Sequence, residues 1–454
     1  MSYSPFGKSI FEDIGIEDLQ RLIDDKVTEG YVIEFKSPGV NNRKIAKTIA
    51  SFANTYGGWL TFGIAAKNRV ASAICGYDKD SYPKQDERIR SVASSRIDPV
   101  PIVYCRIIDI DSNNCVLIAY IPRGEDTPYI TSDGRIYRRH LDSSEPIAET
   151  DRHAVDLLIE KGDSSRKHFE EFCKQEYDFQ IGHDQQVGWV NVFIEPIPFG
   201  EIYRPEFFAT KGISDLIKLS QEQLSIPFFN QGDMQTRMPF EFGQTTHESV
   251  ILRQFRPEEK DLSQALGMQL YVDGRARFHI PIEIIDNFIE KLSATSVESL
   301  ACENLLERLS QPEGSYRNLM FFNFAIIWQL LISFLFIYQK AFRGTGEPES
   351  VKAAIILRNS SGYVPYLEYD EWFSHVEEFG LPLIMNDFVR IPSAEGRGVL
   401  VEFDDMSWVA LSFDLCLSVG LPRKQLIKYW ISLMGGDEKV LDELRTTIDT
   451  NELL

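Results

Sequence analysis

The chain has 454 residues, of which 43% are hydrophobic, 12% aromatic and 25% charged, a composition typical of globular proteins that excludes collagen-like, fibrous and wholly disordered chains. Its length predicts two or three domains. The formal net charge is −21, yet residues 35–107 hold 12 Lys and Arg against 5 Asp and Glu. This distribution is compatible with a basic surface on an acidic protein, and equally with charges spread over solvated faces.

The first 64 residues predict two helix–strand pairs. Apolar residues at Leu19 and Leu22 place a helix before Glu29, and the alternation at 31–36 is typical of a strand. Asn41 or Asn42 caps a second helix whose apolar stripe is formed by Ile45, Ile49 and Phe52. That helix ends in the turn at 54–58, and a continuous apolar strand follows at 59–64.

The next hundred residues complete the first predicted domain, 1–163. We expect a helix at 84–96, a hairpin of strands 102–110 and 115–121 about a polar turn at 111–114, a turn at Asp133-Gly134, a strand at 136–140 and a helix at 148–159. The charged segment 161–166 is predicted to close this domain.

Residues 164–454 are predicted to form an acidic α+β domain, with strands near 189–194, 250–254, 270–272 and 353–357. The apolar segment Leu319–Tyr338 is long enough to cross a bilayer. Asn323, Gln329 and Ser333 interrupt it, and each is costly in hydrocarbon without a partner. We therefore favour a buried core helix over a membrane span.

The six cysteines form no Cys-x-x-Cys pair, and the N-terminus lacks the basic-then-apolar layout of a secretory signal. We expect free thiols in a reducing cytoplasm and no structural zinc. No histidine stands in a recognisable nucleophile setting, which gives covalent hydrolase chemistry no support.

Two motifs stand close together near the N-terminus. Glu29-Gly-Tyr-Val-Ile-Glu34-Phe-Lys36 is followed by SFANTYGGWLTFGI from Ser51, and Tyr137-Arg138 comes later. This combination resembles the Schlafen AlbA-like domain over about residues 15–160. The resemblance implies an α/β N-terminal AlbA-like domain followed by an α+β C-terminal domain, and it implies binding of RNA or DNA.

The two glutamates of the first motif are candidate metal ligands. Glu29 and Glu34 would lie on opposite faces of a regular strand, but Gly30 can break the strand and let them converge on a hard divalent ion such as Mg²⁺ or Mn²⁺. Lys36 shares a strand face with Glu34 and is placed to meet a phosphate. The alternative is that Glu34 and Lys36 pair with each other or with neighbours on an exposed face and bind nothing.

The resemblance also implies a catalytic role. Nuclease members of the Schlafen family use this glutamate pair with a third carboxylate that follows the Gly of the central strand. Here the corresponding place reads Gly63-Ile64-Ala65-Ala66, so a third ligand would have to come from Asp78, Asp80 or another acid. This departure favours a binding module over a metal-dependent endoribonuclease that uses Glu29, Glu34 and Lys36.

Basic and polar residues supply the predicted nucleic-acid contacts. The helix strip of Arg43, Lys44 and Lys47, together with Arg138 and Arg139, is predicted to meet backbone phosphates, with solvated surface as the alternative. The turn that begins at Asn54 is read first as structural and second as a phosphate-contacting loop.

The function predicted from these residues is nucleic-acid binding by a regulatory or defence-related protein. Two alternatives stay open: the metal-dependent endoribonuclease, and a protein-interaction scaffold whose basic strip meets an acidic protein surface. Two AlbA-like lobes form a U-shaped groove in Schlafen proteins of animals, whereas this chain shows one copy of the motif. We therefore expect a homodimer with two-fold symmetry.

Overall fold

The computed structural model forms two compact units, Met1–His168 and Phe169–Leu454, hereafter unit 1 and unit 2. The structure describes residues 4–8, 11, 13–140, 145–175, 188–197, 199–200, 202–208, 210–224, 240, 242–254, 265–295, 300–311, 319–343, 348, 350–393, 398–402 and 405–421.

Unit 1 combines helices with short strands. Its helices are α1 (Ile16–Asp24), α2 (Asn42–Ala53) and α3 (Gln85–Arg96), and α4 (Arg152–Lys174) begins in it. Its strands are β1 (Ile33–Lys36), β2 (Gly58–Phe62), β3 (Ile64–Lys67), β4 (Val70–Ile74), β5 (Tyr77–Asp78), β6 (Ile97–Asp98), β7 (Tyr104–Asp109), β8 (Asn114–Ile121), β9 (Ile130–Thr131), β10 (Tyr137–Arg138) and β11 (Ile147–Ala148).

The main sheet of unit 1 has five strands in the order β1-β2-β8-β5, with β7 also paired to β8. β1 and β2 are parallel, whereas β2 and β7 are antiparallel to β8. Successive β8 residues face opposite sides of the sheet. Leu117 and Ile121 therefore join a core with α2 and α3, whereas Val116 and Ile118 join a core with α1. The sheet therefore separates two hydrophobic cores.

Several predicted elements of unit 1 are confirmed. The Asn41 side chain caps α2 by accepting a hydrogen bond from the Lys44 amide at 2.9 Å. α3 and the hairpin of β7 and β8 also lie where the sequence predicts them.

Two element boundaries differ from the prediction, whereas α1 ends at Asp24, before Glu29, as the sequence predicts. The strand expected at 59–64 is split, because Gly63 adopts a φ of +97° that ends β2 and starts a second hairpin, β3 with β4. The helix expected at 148–159 begins at Arg152 and continues to Lys174, so the charged segment 161–166 lies inside α4.

Unit 2 mixes helices with mostly antiparallel strands. Its helices are α5 (Thr210–Leu224), α6 (Phe288–Ser293), α7 (Leu300–Leu309), α8 (Phe324–Phe342), α9 (Asp370–Phe379) and α10 (Asp405–Ser418). Its strands are β12 (Trp189–Ile197), β13 (Phe242–Thr245), β14 (Ser249–Arg253), β15 (Gly267–Tyr271), β16 (Ala276–Pro281), β17 (Met320–Asn323), β18 (Ser350–Arg358), β19 (Tyr363–Tyr366), β20 (Phe388–Ile391) and β21 (Val399–Glu402). An eight-stranded sheet runs β13-β14-β15-β16-β12-β18-β20, with β21 also on β18.

The apolar segment 319–338 is divided between β17 and α8. Asn323, one of its polar interruptions, caps α8 by accepting from the Ala325 amide at 3.1 Å. Within unit 2, the Trp328 indole donates to Ser412 Oγ at 2.8 Å, and the Phe334 ring stacks on Phe278 with centroids 5.1 Å apart. Among the described residues α8 is the one helix long and apolar enough to cross a membrane, and it is mostly buried. That it forms the core of unit 2 without entering a membrane stays a prediction.

Candidate nucleic-acid interface

The Glu34 carboxylate lies inside unit 1, on the α2 side of the sheet. β1 pairs Glu34 with Leu60 of β2, and the side chain is only 3% exposed. One carboxylate oxygen pairs with Lys36 Nζ and the other with Arg139 Nη2. The Arg139 side chain is completely buried, and its guanidinium lies over the Phe52 ring at 4.3 Å from the centroid. Glu34 therefore holds two cations in a low-dielectric interior.

Burial shifts the titration of both cations. It lowers the pKa of the Arg139 guanidinium to about 10, while the carboxylates of Glu29 and Glu145 act in the opposite direction. Burial also lowers the pKa of Lys36, again opposed by Glu29 and Glu145. Arg139 stays protonated at neutral pH, so its contact with Glu34 is an ion pair.

Glu29 precedes β1 in the chain, and its side chain contacts the backbone of that strand. Its Oε1 accepts a hydrogen bond from the Phe35 amide at 2.8 Å, and its carbonyl oxygen accepts one from Arg69 at 3.0 Å. Gly30 precedes β1, which begins at Ile33. Glu29 is therefore brought to β1, beside the residue that follows Glu34.

The structure bears on the predicted metal ligands in two ways. Within the described ranges, no group of three or more His, Cys, Asp or Glu side chains is placed to hold a metal ion. Asp78, a candidate third ligand, instead accepts the Ser81 amide at 2.6 Å in its own turn. Glu34 and Lys36 do pair with each other, with the carboxylate buried and the Lys36 side chain partly exposed. Metal binding by Glu29 and Glu34 stays a prediction.

The turn that begins at Asn54 is built from buried groups. The Asn54 amide donates to the carbonyls of Tyr129 and Tyr137 at 2.8 and 3.1 Å and accepts from the Tyr129 amide at 2.8 Å. Gly57 has a φ of +76°, and a Cβ there would lie 2.8 Å from the Ile121 carbonyl oxygen. The geometry matches the structural interpretation of the turn.

Arg139, predicted to contact phosphate, and Asn54, for which phosphate contact is the second interpretation, both lie in the interior. Asn54 is 3% exposed, and Thr55 Oγ1 accepts the Arg139 amide at 3.0 Å. These residues tie the chain around β10 to the end of α2. They therefore position the surface beside them without forming it.

The strip of Arg43, Lys44 and Lys47 does lie at the surface of α2. Arg43 is 64% exposed and pairs with Asp133 at 3.0 Å. Lys44 is exposed, and in the described part of the chain its ammonium has no ion-pair partner. Lys47 Nζ lies over the Tyr137 ring at 4.7 Å from its centroid. The strip thus adjoins β10.

The Asp133 carboxylate connects Arg43 of α2 with Tyr137 of β10. Its Oδ2 accepts hydrogen bonds from both Arg43 and the Tyr137 hydroxyl at 3.0 Å. Burial acts to raise the pKa of Asp133, but hydrogen bonds from Thr131, Arg43 and Tyr137 outweigh it and lower the pKa to about 2. The carboxylate is therefore charged throughout the physiological range.

Arg138 follows Tyr137 in β10. Its side chain is 29% exposed and donates to Glu149 at 3.1 Å. Arg138 also acts electrostatically on the hydroxyl of Tyr31. The cations of the helix strip therefore lie near Tyr137 of β10. Arg138, the next residue of the strand, adds a further cation near Tyr31.

The sequence analysis does not predict a role for three residues that lie together at the surface, Tyr31, Tyr56 and Arg123. Tyr56 is 58% exposed, its ring lies 5.4 Å from the Tyr31 ring, and the Arg123 guanidinium lies 5.7 Å from its centroid. Burial and the neighbouring Tyr56 raise the pKa of Tyr31. An available signal was the aromatic residue itself, because turn positions usually carry small polar residues.

Comparison with known proteins gives one family match. Residues 29–148 match the family described as Schlafen, AlbA_2. Unit 1 contains an AlbA_2 domain. The resemblance read from the motifs is thereby confirmed for this segment. The matched range contains Glu29, Glu34 and all the basic and aromatic residues named above, and Glu149, the partner of Arg138, follows it directly.

Two solved structures are similar to parts of the chain. One is the N-terminal domain of a protein from Nitrosomonas europaea described as related to the DNA helicase RecG, with 19% identity over 28% of this chain and 90% of that one and a TM-score of 0.22. The other is the DIP2311 protein of Corynebacterium diphtheriae, with 19% identity over 44% of this chain and a TM-score of 0.19. The match spans 34% of the Corynebacterium chain. Comparison with curated proteins finds no match.

Proposed function

We propose that this chain binds nucleic acid, RNA or DNA, through its AlbA_2 domain, and that it acts as a regulatory or defence-related protein of the cytoplasm. The family match supports a nucleic-acid-related role. The observation that carries the proposal is the grouping of cationic side chains around β10, with Arg43, Lys44 and Lys47 on α2 and Arg138 on the strand itself.

These cations suit backbone phosphates. Arg43 and Arg138 each pair with one carboxylate, which fixes their direction and leaves other guanidinium N–H groups to donate. Lys44 is exposed, and a phosphate is a matching partner for its ammonium. Such contacts supply affinity without sequence preference, so the proposal covers RNA and DNA alike.

The geometry favours binding over metal-dependent hydrolysis. Both oxygens of Glu34 are paired with cations, and a divalent ion would have to displace Lys36 or the buried Arg139 to use them. Displacement would break the ion pair between Glu34 and a buried guanidinium, which is costly. We therefore assign Glu34 a structural role, that of anchoring the residue after β10.

A binding assay with matched variants tests the proposal. Full-length protein is titrated into labelled tRNA and duplex DNA, with and without Mn²⁺, as wild type and as the Lys44→Glu, Lys47→Glu double variant. The control is Lys26→Glu, Lys67→Glu, which makes the same charge change at exposed residues outside α2 and β10, one just after α1 and one in β3.

We expect the wild type and the control to bind, and the first double variant to bind roughly tenfold or more weakly at low salt. Equal affinity of all three proteins, or no binding by the wild type, would overturn the proposal. Cleavage of tRNA that requires Mn²⁺ and is lost in a Glu34→Gln variant would instead support the endoribonuclease.

A further inference from the structure

We propose that unpaired bases stack on the exposed ring of Tyr56, so that the AlbA_2 domain selects single-stranded over duplex nucleic acid. This inference rests on the proposed function and specifies its substrate class. It stands on the surface cluster of Tyr31, Tyr56 and Arg123, which the basic strip does not include.

The turn at 54–58 does not require an aromatic side chain at position 56. Asn54, Thr55, Gly57 and Gly58 are all buried and hold the turn together through hydrogen bonds and close approach. Tyr56 alone among these five residues is exposed, with 58% of its surface accessible. A single exposed aromatic residue is common in proteins and would not by itself indicate a ligand.

The neighbours of Tyr56 supply the second observation. The Tyr31 ring lies 5.4 Å away at an interplanar angle of 44°, and the Arg123 guanidinium lies 5.7 Å from the Tyr56 centroid. Tyr31 is half-buried and fixes one side of the Tyr56 ring. Arg123 is exposed, and its guanidinium lies over the Tyr56 ring. An aromatic surface next to a cation is the arrangement on which single strands bind, the ring taking the base and the cation the phosphate.

Further cations extend this surface. Arg138 acts on the Tyr31 hydroxyl, and through β10 it is adjacent to Tyr137, which Lys47 covers. A strand whose base lies on Tyr56 would have Arg123 at the ring and Arg138 near Tyr31 as cations for its phosphates. Paired bases are stacked inside a duplex and cannot reach the ring without being unpaired, so the cluster discriminates by strandedness.

Anisotropy titrations of full-length protein test this inference. The probes are labelled oligo(dT), oligo(U) and a duplex of the same length, and the variants are Tyr56→Ala, Tyr56→Leu and Tyr56→Phe. Leu keeps apolar volume against Tyr31, while Phe keeps the ring. Tyr203→Ala is the control, because Tyr203 is 71% exposed and belongs to unit 2.

We expect Tyr56→Ala and Tyr56→Leu to weaken single-strand binding by about 5-fold to 150-fold and duplex binding far less. Tyr56→Phe and Tyr203→Ala should bind as the wild type does. If the wild type binds nucleic acid but the Ala and Leu variants bind both probe types unchanged, or weaken both equally, base stacking is overturned and the proposed function stands. If the wild type binds none of the probes, both the stacking inference and the proposed function are overturned. Comparison of oligo(dT) with oligo(U) tells DNA from RNA.

Discussion

Replacing Glu34 with Ala separates a structural carboxylate from a catalytic one. The Glu34 side chain is 3% exposed, and that of Arg139, one of its two partners, is 0% exposed. The substitution removes the Glu34 carboxylate from a guanidinium that is buried against Phe52. Breaking a buried ion pair by removing one partner costs about 3–5 kcal/mol, so we expect the free energy of unfolding of unit 1 to fall by about that amount.

A double-mutant cycle isolates the interaction. Its single variants are Glu34→Leu, which removes the carboxylate, and Arg139→Met, which removes the guanidinium and keeps apolar contact with Phe52; combining the two removes both charges. Because an apolar pair of similar volume replaces a buried ion pair at little cost, the double variant should be more stable than Glu34→Ala. Lys36 is present both in Glu34→Ala and in the double variant, so the free-energy cost of its burial contributes equally to the two.

Hydrogen exchange measured across a urea series suits this protein, because it reports β1 and β2 separately from unit 2. We expect peptides from these strands to exchange faster in Glu34→Ala and close to the wild-type rate in the double variant. Glu34→Ala with unchanged exchange and lost Mn²⁺-dependent RNA cleavage would refute the structural assignment and restore the metal-ligand interpretation.

Three other predictions concern the turn, the edge of β10 and assembly. Asn54→Ala removes three buried hydrogen bonds and should lower the unfolding free energy by about 2–4 kcal/mol, measured by the same exchange experiment; an unchanged exchange rate would contradict this. The pKa of Asp133 is lowered to about 2, so its stabilising contribution is complete above about pH 4 and is lost as the pH falls towards 2; the stability difference between wild type and Asp133→Asn should shrink over that interval, and a constant difference would be inconsistent with it. Sedimentation at micromolar concentration should show a homodimer, and a species of the chain mass that RNA does not change would exclude it.

Local patterns predicted the elements that position the interface. α2 could be read from the Asn41 cap and the apolar stripe of Ile45, Ile49 and Phe52, because cap and stripe lie within one helix. The turn after it could be read from Asn54 and the two glycines. In each case the residues that interact are within a few positions of each other in the chain.

The charged cluster could not be read in this way. Glu34 and Arg139 are 105 positions apart, and only the fold brings them together. Arg138 and Arg139 look alike in the sequence, but successive residues of an extended chain point to opposite sides, so one is partly exposed and the other is buried. The exposure of Tyr56 likewise depends on Tyr31 and Arg123, which come from separate segments.

Helix ends in the longer elements were also misplaced. The charged segment 161–166 suggested a boundary, yet its residues fit a helix that continues to Lys174 and lies partly on the surface. Asn323 was read as an interruption within a helix, whereas it is the cap at which α8 begins. A polar residue in an apolar run has both meanings until its hydrogen-bond partner is known.

The salt dependence of binding tests the central claim most directly. Affinity of full-length protein for a single-stranded oligonucleotide is measured over a series of salt concentrations, for the wild type, Lys44→Glu with Lys47→Glu, and Lys26→Glu with Lys67→Glu. Each phosphate contact adds about 0.7 to the slope of log K against log salt for a single strand. We expect the first double variant to reduce the slope by roughly 1.4 and the control to leave it unchanged. Identical slopes for all three proteins would contradict binding of nucleic acid through this face of the AlbA_2 domain.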